Sequence, residues 1–326
     1  MQPTQNGPEF RRDVALRAAA ISMGFVFLMG GWRRFINDPT NHDITSPGSL
    51  ANKLVEAAPG SPIEWVIHWV LNHPFITEWS IYLMSTAEVL VGVALILGLF
   101  TRVAATGSAL LNVALMLIFG WMGYECLDEW TMAALGFAIS VSVMIYGAGL
   151  YSLDSLLKRD DFVQLFTRNV SIALTLASVI FTVGFYNYYF GIFDFHKRTS
   201  VGSYHISALQ VPGKPDEARL YVDAGPSSAS AYVTAITFTM SDGSKLVQSA
   251  AEIEMVKSHF EPWAHGSGSV VDGVMKMRLG AMVDIRVPTG GTSAVISLID
   301  NKDPVPAGGG DQKLLPVMAQ HRHMRI

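Results

Sequence analysis

Two adjacent arginines, Arg33 and Arg34, close the first strongly apolar run of the chain in the segment GGWRRFIND, residues 30–38. Guanidinium groups offer forked hydrogen-bond donors that stay charged beside a low-dielectric surface, which suits a small dianion. The alternative interpretation is anchoring, since Trp and Arg commonly hold a helix end at the headgroup level of a membrane. Adjacent helical residues point about 100° apart, so we expect one of the two to face a helix bundle.

Cys126 is the one cysteine of the chain and lies in the acidic segment GYECLDEW. A single cysteine excludes an intrachain disulfide and a CxxC redox pair. A lone cysteine is commonly a small buried apolar residue, whereas a thiolate at this position would be a nucleophile. The neighbouring carboxylates disfavour the thiolate unless Arg33 or Arg34 lies close enough to oppose them. If the cysteine is catalytic, we therefore expect it to form one site with the arginines.

Glu88 lies inside an apolar run, where an ionisable side chain is costly and is a functional candidate by default. Two interpretations stay open. Glu88 relays a proton, or it pairs with Arg17 or Arg102 to fix helix packing. His42 and Asp38 follow the arginine pair and are further candidates for proton transfer, although a loop histidine is usually only solvated.

The elements that must position these residues are predicted to be membrane helices. The 326-residue chain is 50% hydrophobic and 15% charged, with a mean hydropathy of +0.32, and its apolar residues are concentrated in the first 190 positions. A spanning helix needs roughly 20 mainly apolar residues. Five stretches meet this condition: 14–32, 79–99, 102–122, 131–150 and 171–192. Small residues recur within them, which favours a compact bundle.

After about residue 200 the pattern changes to short alternating runs such as ARLYVDA, AYVTAITFTM and MVDIRV. Several short strands with frequent turns predict a β-sandwich. Within it, TFTMSDGSKLVQ predicts a hairpin with its turn at Asp242 and Gly243, and AAEIEMVKSHF predicts the one helical interruption. The expected fold is thus an α-helical membrane bundle of about five transmembrane helices followed by an extracytoplasmic all-β sandwich-like domain.

These patterns divide the chain into a helical membrane domain at 1–195, a β domain at 196–305 and a flexible Gly- and Pro-rich tail at 306–326. The helical domain includes a long outer loop at 33–78, in which SPIEWVIHWVLNHPF predicts an interfacial or re-entrant helix. The distribution of Lys and Arg favours a cytoplasmic N-terminus. Five spans then place the C-terminal domain outside the cytoplasm.

The sequence argues against the classical redox cofactors. No histidine falls inside any of the five spans, which argues against a haem held between two histidines. There is no Cys cluster for iron and sulfur, no GxGxxG after a strand and no HExxH, so we predict no haem, flavin or metal. If the protein moves electrons, the remaining carrier is an exchangeable quinone. The net charge of -4 and the absence of a basic run argue against nucleic acid as a partner.

The segments RAAAISMGFVFLMGGWRRF and STAEVLVGVALILGLFTRVAATGSALLNVALM resemble the DoxX/DoxD membrane family. The likeness lies in an opening helix with small residues and a basic exit, and in an acidic residue within a span that precedes a Thr-Arg turn. The β-rich remainder looks like a fused DoxA subunit. Together the parts resemble thiosulfate:quinone oxidoreductase. This resemblance implies a multi-pass protein of the cytoplasmic membrane that oxidises thiosulfate to tetrathionate and reduces a membrane quinone.

With thiosulfate and a quinone as reactants, the chemistry of the candidate residues suggests a role for each of them. Arg33 and Arg34 are expected to bind thiosulfate together with His42, and Cys126 and Glu88 are expected to join the arginines in catalysis. The residues expected to line a quinone pocket are Tyr82, Asn112, Trp121 and Tyr124. An aromatic belt explains the three aromatic residues equally well.

The expected catalytic route is covalent. The Cys126 thiolate adds to a quinone ring, the sulfane sulfur of thiosulfate attacks the cysteine sulfur and expels hydroquinone, and a second thiosulfate releases tetrathionate.

Two other function classes stay open: a non-catalytic scaffold that docks a redox partner, and a transporter of a sulfur anion. The spans lack an evident inverted repeat, which disfavours the transporter. The Gly-rich helix faces permit homo-oligomers without requiring them.

Overall fold

The computed structural model describes residues 7–119, 127–159, 162–190, 204–225, 230–260, 267–299, 305–306 and 315–316. The chain forms two compact units. The first contains Met1–Asp43 and Glu78–His196, and the second contains Ile44–Thr77 and Lys197–Ile326. The chain therefore leaves the helical unit after Asp43, contributes a segment to the β-rich unit and returns at Glu78.

Apolar helices make up most of the first unit. The described α-helices of the chain, of which α2 and α3 belong to the second unit, are α1 (Pro8–Trp32), α2 (Leu50–Ala57), α3 (Glu64–Leu71), α4 (Pro74–Leu97), α5 (Thr101–Phe119), α6 (Leu127–Tyr146), α7 (Leu153–Leu156) and α8 (Arg168–Phe190). Among the described residues, four helical stretches are long and apolar enough to cross a membrane: Glu9–Asn37, Pro74–Leu97, Thr101–Phe119 and Arg168–Asn187. A shorter apolar stretch, Met132–Tyr146, lies in α6. The predicted multi-pass helical domain is confirmed.

Glycines bring α1 and α4 into backbone contact. A Cβ added to Gly92 of α4 would lie 2.6 Å from the backbone nitrogen of Leu28, and one added to Gly24 of α1 would lie 2.8 Å from the carbonyl oxygen of Gly92. Further along, a Cβ on Gly31 would lie 2.8 Å from the carbonyl oxygen of Ser85. Small residues permit such close approach inside a membrane. The contact sets the end of α1 directly beside α4.

Replacing Gly92 by alanine should destabilise the helical unit, because the backbone of α1 leaves no space for a methyl group. Overpacking of this kind typically costs about 1–3 kcal/mol. Gly184 of α8 is the matched control, since an added Cβ there meets nothing within 4 Å. Thermal unfolding in detergent, followed by helical circular dichroism, should show a lower Tm for Gly92→Ala than for Gly184→Ala. Equal Tm values would contradict the close contact.

Two buried arginines satisfy the carbonyl groups at the ends of helices. Arg17 of α1 donates to the carbonyl oxygens of Leu95 at 2.7 Å and Tyr151 at 3.1 Å, and also to that of Ile96. Arg102 of α5 does the same for the end of α6. Its acceptors are the carbonyl oxygens of Met144 at 2.8 Å, Ile145 at 2.7 Å and Tyr146 at 3.2 Å. Because the last carbonyls of a helix lack intrahelical partners, both arginines have a structural role.

Asp154 fixes the start of α5. Its carboxylate accepts hydrogen bonds from the backbone nitrogens of Phe100 at 2.9 Å and Thr101 at 2.8 Å, and from the Thr101 hydroxyl at 2.8 Å. The side chain is buried. The carboxylate therefore caps N–H groups at the N-terminus of α5 that have no acceptor within the helix.

Strands dominate the second unit. They are β1 (His205–Val211), β2 (Lys214–Ala224), β3 (Ser230–Met240), β4 (Lys245–Ser249), β5 (Met255–Ser258), β6 (Val270–Val271), β7 (Val274–Arg278), β8 (Met282–Arg286), β9 (Gly291–Leu298), β10 (Val305–Pro306) and β11 (Leu315–Pro316). In the described residues they form two sheets, in the orders β11-β1-β2-β8-β5 and β10-β9-β3-β7-β6, with β4 also paired to β3. Apart from the parallel pairing of β11 with β1, the described pairings are antiparallel. The predicted β-rich domain is confirmed.

Two local predictions in this unit had different outcomes. The hairpin at Asp242 and Gly243 is present, since β3 and β4 pair around it and Gly243 has a φ of +82°. The helix predicted over AAEIEMVKSHF is wrong. A single turn at Ala250–Glu252 is followed by β5, which pairs with β8. Most of the predicted flexible tail lies outside the described residues.

The segment at 44–77 packs with the strands of the second unit. Tyr221 donates from its hydroxyl to the Glu64 carboxylate at 2.6 Å, and Arg278 pairs with Glu56 at 2.6 Å. A Cβ on Gly280 would lie 1.8 Å from the carbonyl oxygen of Val55. Whereas the sequence patterns assigned this stretch to an outer loop of the helical domain, in the structure it belongs to the compact unit that contains the sheets.

Candidate functional site

The end of α1 differs from an ordinary helix end. The chain continues past Trp32 as a π-helical turn at Arg33–Asn37, closed by a hydrogen bond from the backbone nitrogen of Asp38 to the carbonyl oxygen of Arg33 at 2.8 Å. A π-turn adds one residue to the helical turn and frequently occurs at functional sites. Arg34 is half-buried in this turn, whereas Arg33 is exposed. The two adjacent arginines are therefore not equivalent.

Arg34 forms an ion pair with Glu88 of α4. The exposed fraction of the side chain is 14% for Arg34 and 4% for Glu88. Gly30 lies against the carboxylate, since a Cβ there would be 3.0 Å from Glu88 Oε2. The prediction that Glu88 pairs with Arg17 or Arg102 is wrong about the partner. Those arginines bind helix-end carbonyls, while the π-turn carries Arg34 to Glu88.

His42 is enclosed next to this ion pair. Its ring stacks on Phe35 at a centroid distance of 4.7 Å and on Tyr82 at 4.6 Å. Nε2 of the ring lies 3.1 Å from the Ser85 hydroxyl, and the ring also hydrogen-bonds to the backbone of Arg34. The histidine is 6% exposed, so it is a buried component of the site rather than a solvated loop residue.

The surroundings of His42 favour its neutral form. Burial lowers the pKa of the ring below its ordinary value, and the positive charge of Arg34 lowers it further, against the hydrogen bond to the Arg34 backbone. A lowered pKa favours the uncharged imidazole at neutral pH. The neutral form of His42 is thus favoured, and its ring contacts two aromatic rings as well as its hydrogen-bond partners.

One face of α4 supplies the other half of the site. Tyr82, Ser85 and Glu88 are spaced by three residues and so lie along the same side of the helix. Ser85 and Glu88 are buried, whereas Tyr82 is 41% exposed. Ser85 was not identified from the sequence, although its spacing from Glu88 places it on the same helix face.

Asp38 stays at the surface beside the π-turn. Its carboxylate accepts a hydrogen bond from the Thr40 hydroxyl, and its backbone carbonyl accepts one from the Asn41 amide at 2.7 Å. The hydrogen bond from Thr40 is the main reason that the pKa of Asp38 lies below its usual value. Asp38 therefore shapes the loop that carries His42.

The other predicted site residues are placed elsewhere or not described. Asn112 is buried in α5, where its amide donates to the carbonyl oxygen of Ser108 at 2.9 Å and its oxygen faces Gly136 of α6. This position makes it part of the packing between α5 and α6. Three predicted site residues lie outside the described residues: Trp121, Tyr124 and Cys126.

The arrangement combines four chemical capacities at one helix end. A half-buried guanidinium can bind an anion, a buried carboxylate can hold or release a proton, a neutral imidazole can donate or accept a hydrogen bond, and two aromatic rings offer flat apolar faces. No group of three or more His, Cys, Asp or Glu side chains with metal-binding geometry occurs among the described residues.

The comparisons with known proteins identify the family of this region. Residues 15–182, just over half of the chain, match the family model for DoxD, described as the TQO small subunit. The match contains Arg34, His42 and Glu88 and ends before the first strand of the β-rich unit. No solved structure matches the chain.

Proposed function

Because this chain belongs to the DoxD family of thiosulfate:quinone oxidoreductase subunits, we propose that it oxidises thiosulfate to tetrathionate and reduces a membrane quinone. The observation that carries the proposal is the Arg34–Glu88 ion pair beside the stacked His42 ring. Two thiosulfate ions lose one electron each and join through a sulfur–sulfur bond. The quinone gains the two electrons and two protons.

Arg34 is the proposed ligand of thiosulfate. Within the described residues, Glu88 is the hydrogen-bond partner of its guanidinium and engages one of the five N–H groups. The remaining donors of a side chain that is 14% exposed can bind the oxygens of a dianion in charge-assisted hydrogen bonds. Arg33, exposed beside it, raises the local concentration of anions through its charge. His42 contributes by holding the backbone of Arg34.

The quinone is proposed to bind on the aromatic side of the same site. A quinone head group is a flat ring, and aromatic rings prefer offset or edge-on contact with another ring. The outer faces of Phe35 and Tyr82 are available, since these residues are 36% and 41% exposed. Ser85 and His42 supply polar groups next to these rings. Asn112, Trp121 and Tyr124 remain proposed lining residues.

Cys126 is the proposed covalent catalyst. Its thiolate adds to the quinone ring and forms a carbon–sulfur bond. The sulfane sulfur of thiosulfate then attacks the cysteine sulfur, the carbon–sulfur bond breaks, and its electron pair leaves with the hydroquinone, which takes up two protons. A second thiosulfate attacks the thiosulfate-capped cysteine, releases tetrathionate and restores the thiolate.

The orientation and partners of the chain are part of the proposal. The multi-pass protein lies in the cytoplasmic membrane with its N-terminus in the cytoplasm, following the distribution of basic residues. The β-rich unit acts outside the cytoplasm as a DoxA-like domain. Quinone is the exchangeable acceptor, and thiosulfate reaches Arg34 from the extracytoplasmic side.

The test is turnover by the purified full chain in detergent. Wild-type protein, on addition of thiosulfate, should reduce a soluble quinone analogue and form one tetrathionate per quinone in the same sample. Cys126→Ser should lose this activity while it keeps the helical circular dichroism of wild type. Activity in both proteins would retain the enzyme and reject the covalent route. No turnover by folded protein that binds quinone would reject the enzyme and favour a scaffold.

A further inference from the structure

We propose that the Arg34–Glu88 ion pair is an anion-operated proton switch, in which a divalent oxyanion displaces Glu88 from Arg34 and the released carboxyl group takes up a proton. The identity of the natural anion, thiosulfate, rests on the proposed function. The switch itself rests on the geometry of the pair and applies to any oxyanion of similar size and charge.

The two partners differ in their access to water. The Arg34 side chain is 14% exposed, whereas the Glu88 side chain is 4% exposed and lies against Gly30. An arriving anion therefore meets the guanidinium first. Glu88 is carried by the middle of α4, and Gly31 fixes that part of the helix against α1 by close backbone contact. The backbone that carries the carboxylate is therefore held against α1 when the ion pair opens.

A buried carboxylate without a counter-charge is expensive. Desolvation of an isolated ionised group costs far more than binding a proton at neutral pH, so such groups neutralise instead. The positive charges that act on Glu88 in the described residues are Arg34 and, at longer range, the exposed Arg33. His42 hydrogen-bonds to Ser85, one turn from Glu88 along α4, and its burial disfavours the cationic form. Once the anion occupies Arg34, protonation is the remaining way to remove the charge of Glu88.

The charge balance of the site leads to the same conclusion. Arg33, Arg34, Glu88 and the exposed Asp38 beside Arg33 together carry no net charge in the free protein. A dianion alone would change this sum to two negative charges beside an apolar helix bundle. A dianion that arrives with one proton on Glu88 limits the sum to one negative charge. The coupled process is therefore favoured where the local dielectric is low.

The switch would deliver a proton to the site at the moment when the anion binds. Quinone reduction consumes two protons, and a protonated Glu88, one turn of α4 from the Ser85 hydroxyl that hydrogen-bonds to His42, would supply one of them to this site. If the ion pair had only a structural role, no proton uptake would be expected. The pair would then bind anions without proton uptake and would lose stability when either partner is removed.

The experiment uses sulfate, a divalent oxyanion that the proposed reaction does not consume, with purified full-length protein in weakly buffered detergent. A pH-indicator dye should report uptake of about one proton per sulfate bound, and one-proton linkage predicts sulfate affinity that rises about tenfold for each unit of decreasing pH. Glu88→Gln should bind sulfate more tightly than wild type at neutral pH, with no proton uptake. Arg34→Gln should bind none.

Infrared difference spectra of wild type provide a readout that does not depend on a folded variant. Sulfate should produce a protonated-carboxyl band that shifts when glutamate is labelled with carbon-13. Sulfate binding without proton uptake, weaker binding by Glu88→Gln, or no sulfate binding by wild type would overturn the switch. Proton uptake without thiosulfate turnover would retain the switch and reject the enzyme, and turnover without uptake would reject the switch alone.

Discussion

Replacing Arg34 by glutamine should abolish thiosulfate-dependent quinone reduction, with kcat/KM lower by about 100-fold or more. The change removes the proposed anion ligand and also leaves Glu88, 4% exposed, without its ion-pair partner. A hydrogen bond to a charged group contributes about 1.5–3 kcal/mol, and tenfold in kcat/KM corresponds to about 1.4 kcal/mol. A loss of about 100-fold therefore corresponds to the upper end of this range for one such bond, and Arg34 can donate more than one.

The adjacent arginine is the matched control. Arg33→Gln removes the same charge from the neighbouring position, but that side chain is exposed. Its contribution is long-range attraction, so we expect a loss in kcat/KM of less than about fivefold that shrinks as salt screens it. Equal losses in the two variants, or full activity of Arg34→Gln, would show that the ion pair is not the thiosulfate site. Circular dichroism and quinone binding check that both variants are folded.

The sequence pointed to the arginine pair but not to the arginine that faces α4. The apolar pattern of α1 follows the ordinary helical period, and a π-turn shifts that period by one residue at Arg33–Asn37. Hydrophobic periodicity carries no mark of such a turn. The pair of glycines before Trp32 was the available indication, because small residues at a helix end allow a neighbouring helix to approach closely enough for an ion pair.

The partners of Glu88 and His42 could not be predicted from the local sequence, because they lie far away along the chain. The choice of Arg17 or Arg102 as the partner of Glu88 rested on charge alone, whereas the last carbonyls of α4 and α6 already engage those arginines. His42 was interpreted as a loop histidine, usually solvated, because it follows a polar turn. Its burial depends on stacking with Tyr82, which is far away in sequence, and no local pattern reports such a contact.

The sequence patterns predicted the type of most helices and strands. They did not predict how the chain divides into two compact units. Runs of apolar residues predicted the long helices, and alternation predicted most of the strands. The segment at 44–77 is contiguous with the helices in sequence, yet long-range contacts such as that between Tyr221 and Glu64 tie it to the sheets. The segment AAEIEMVKSHF has helix-forming residues, but pairing of β5 with β8 outweighs that preference.

The Thr-Arg turn between α4 and α5 has a structural explanation that the sequence did not reveal. Thr101 donates to Asp154 from both its backbone nitrogen and its hydroxyl, and Arg102 caps the end of α6. Asp154 lies more than fifty residues beyond the turn that it holds. A turn that resembles a family motif is thus explained by helix capping, without a part in the proposed chemistry.

Asp154→Ala should be strongly destabilising and leave the thiosulfate site intact. The variant removes the acceptor of three hydrogen bonds at a buried position. Loss of a helix cap costs about 0.5–2 kcal/mol, and a buried donor left unsatisfied costs about 1–3 kcal/mol. We therefore expect a loss of about 3 kcal/mol, seen as a clear decrease in the Tm of the helical circular dichroism signal. Asp154→Asn keeps one oxygen acceptor, so its Tm should lie between those of wild type and Asp154→Ala.

The control for this variant is Asp216→Ala, since Asp216 likewise has a side-chain partner, Arg286, but its side chain is 57% exposed. Exposed ion pairs contribute little to stability, so the Tm of this variant should match wild type. Below the transition, the folded Asp154→Ala protein should keep the wild-type KM for thiosulfate, because nine helical rises of 1.5 Å place Leu97, the last residue of α4, about 14 Å from Glu88, and the turn that Asp154 holds lies beyond Leu97. A raised KM would mean that the α4–α5 turn also sets the geometry of Arg34 and Glu88, and an unchanged Tm would contradict the capping role of Asp154.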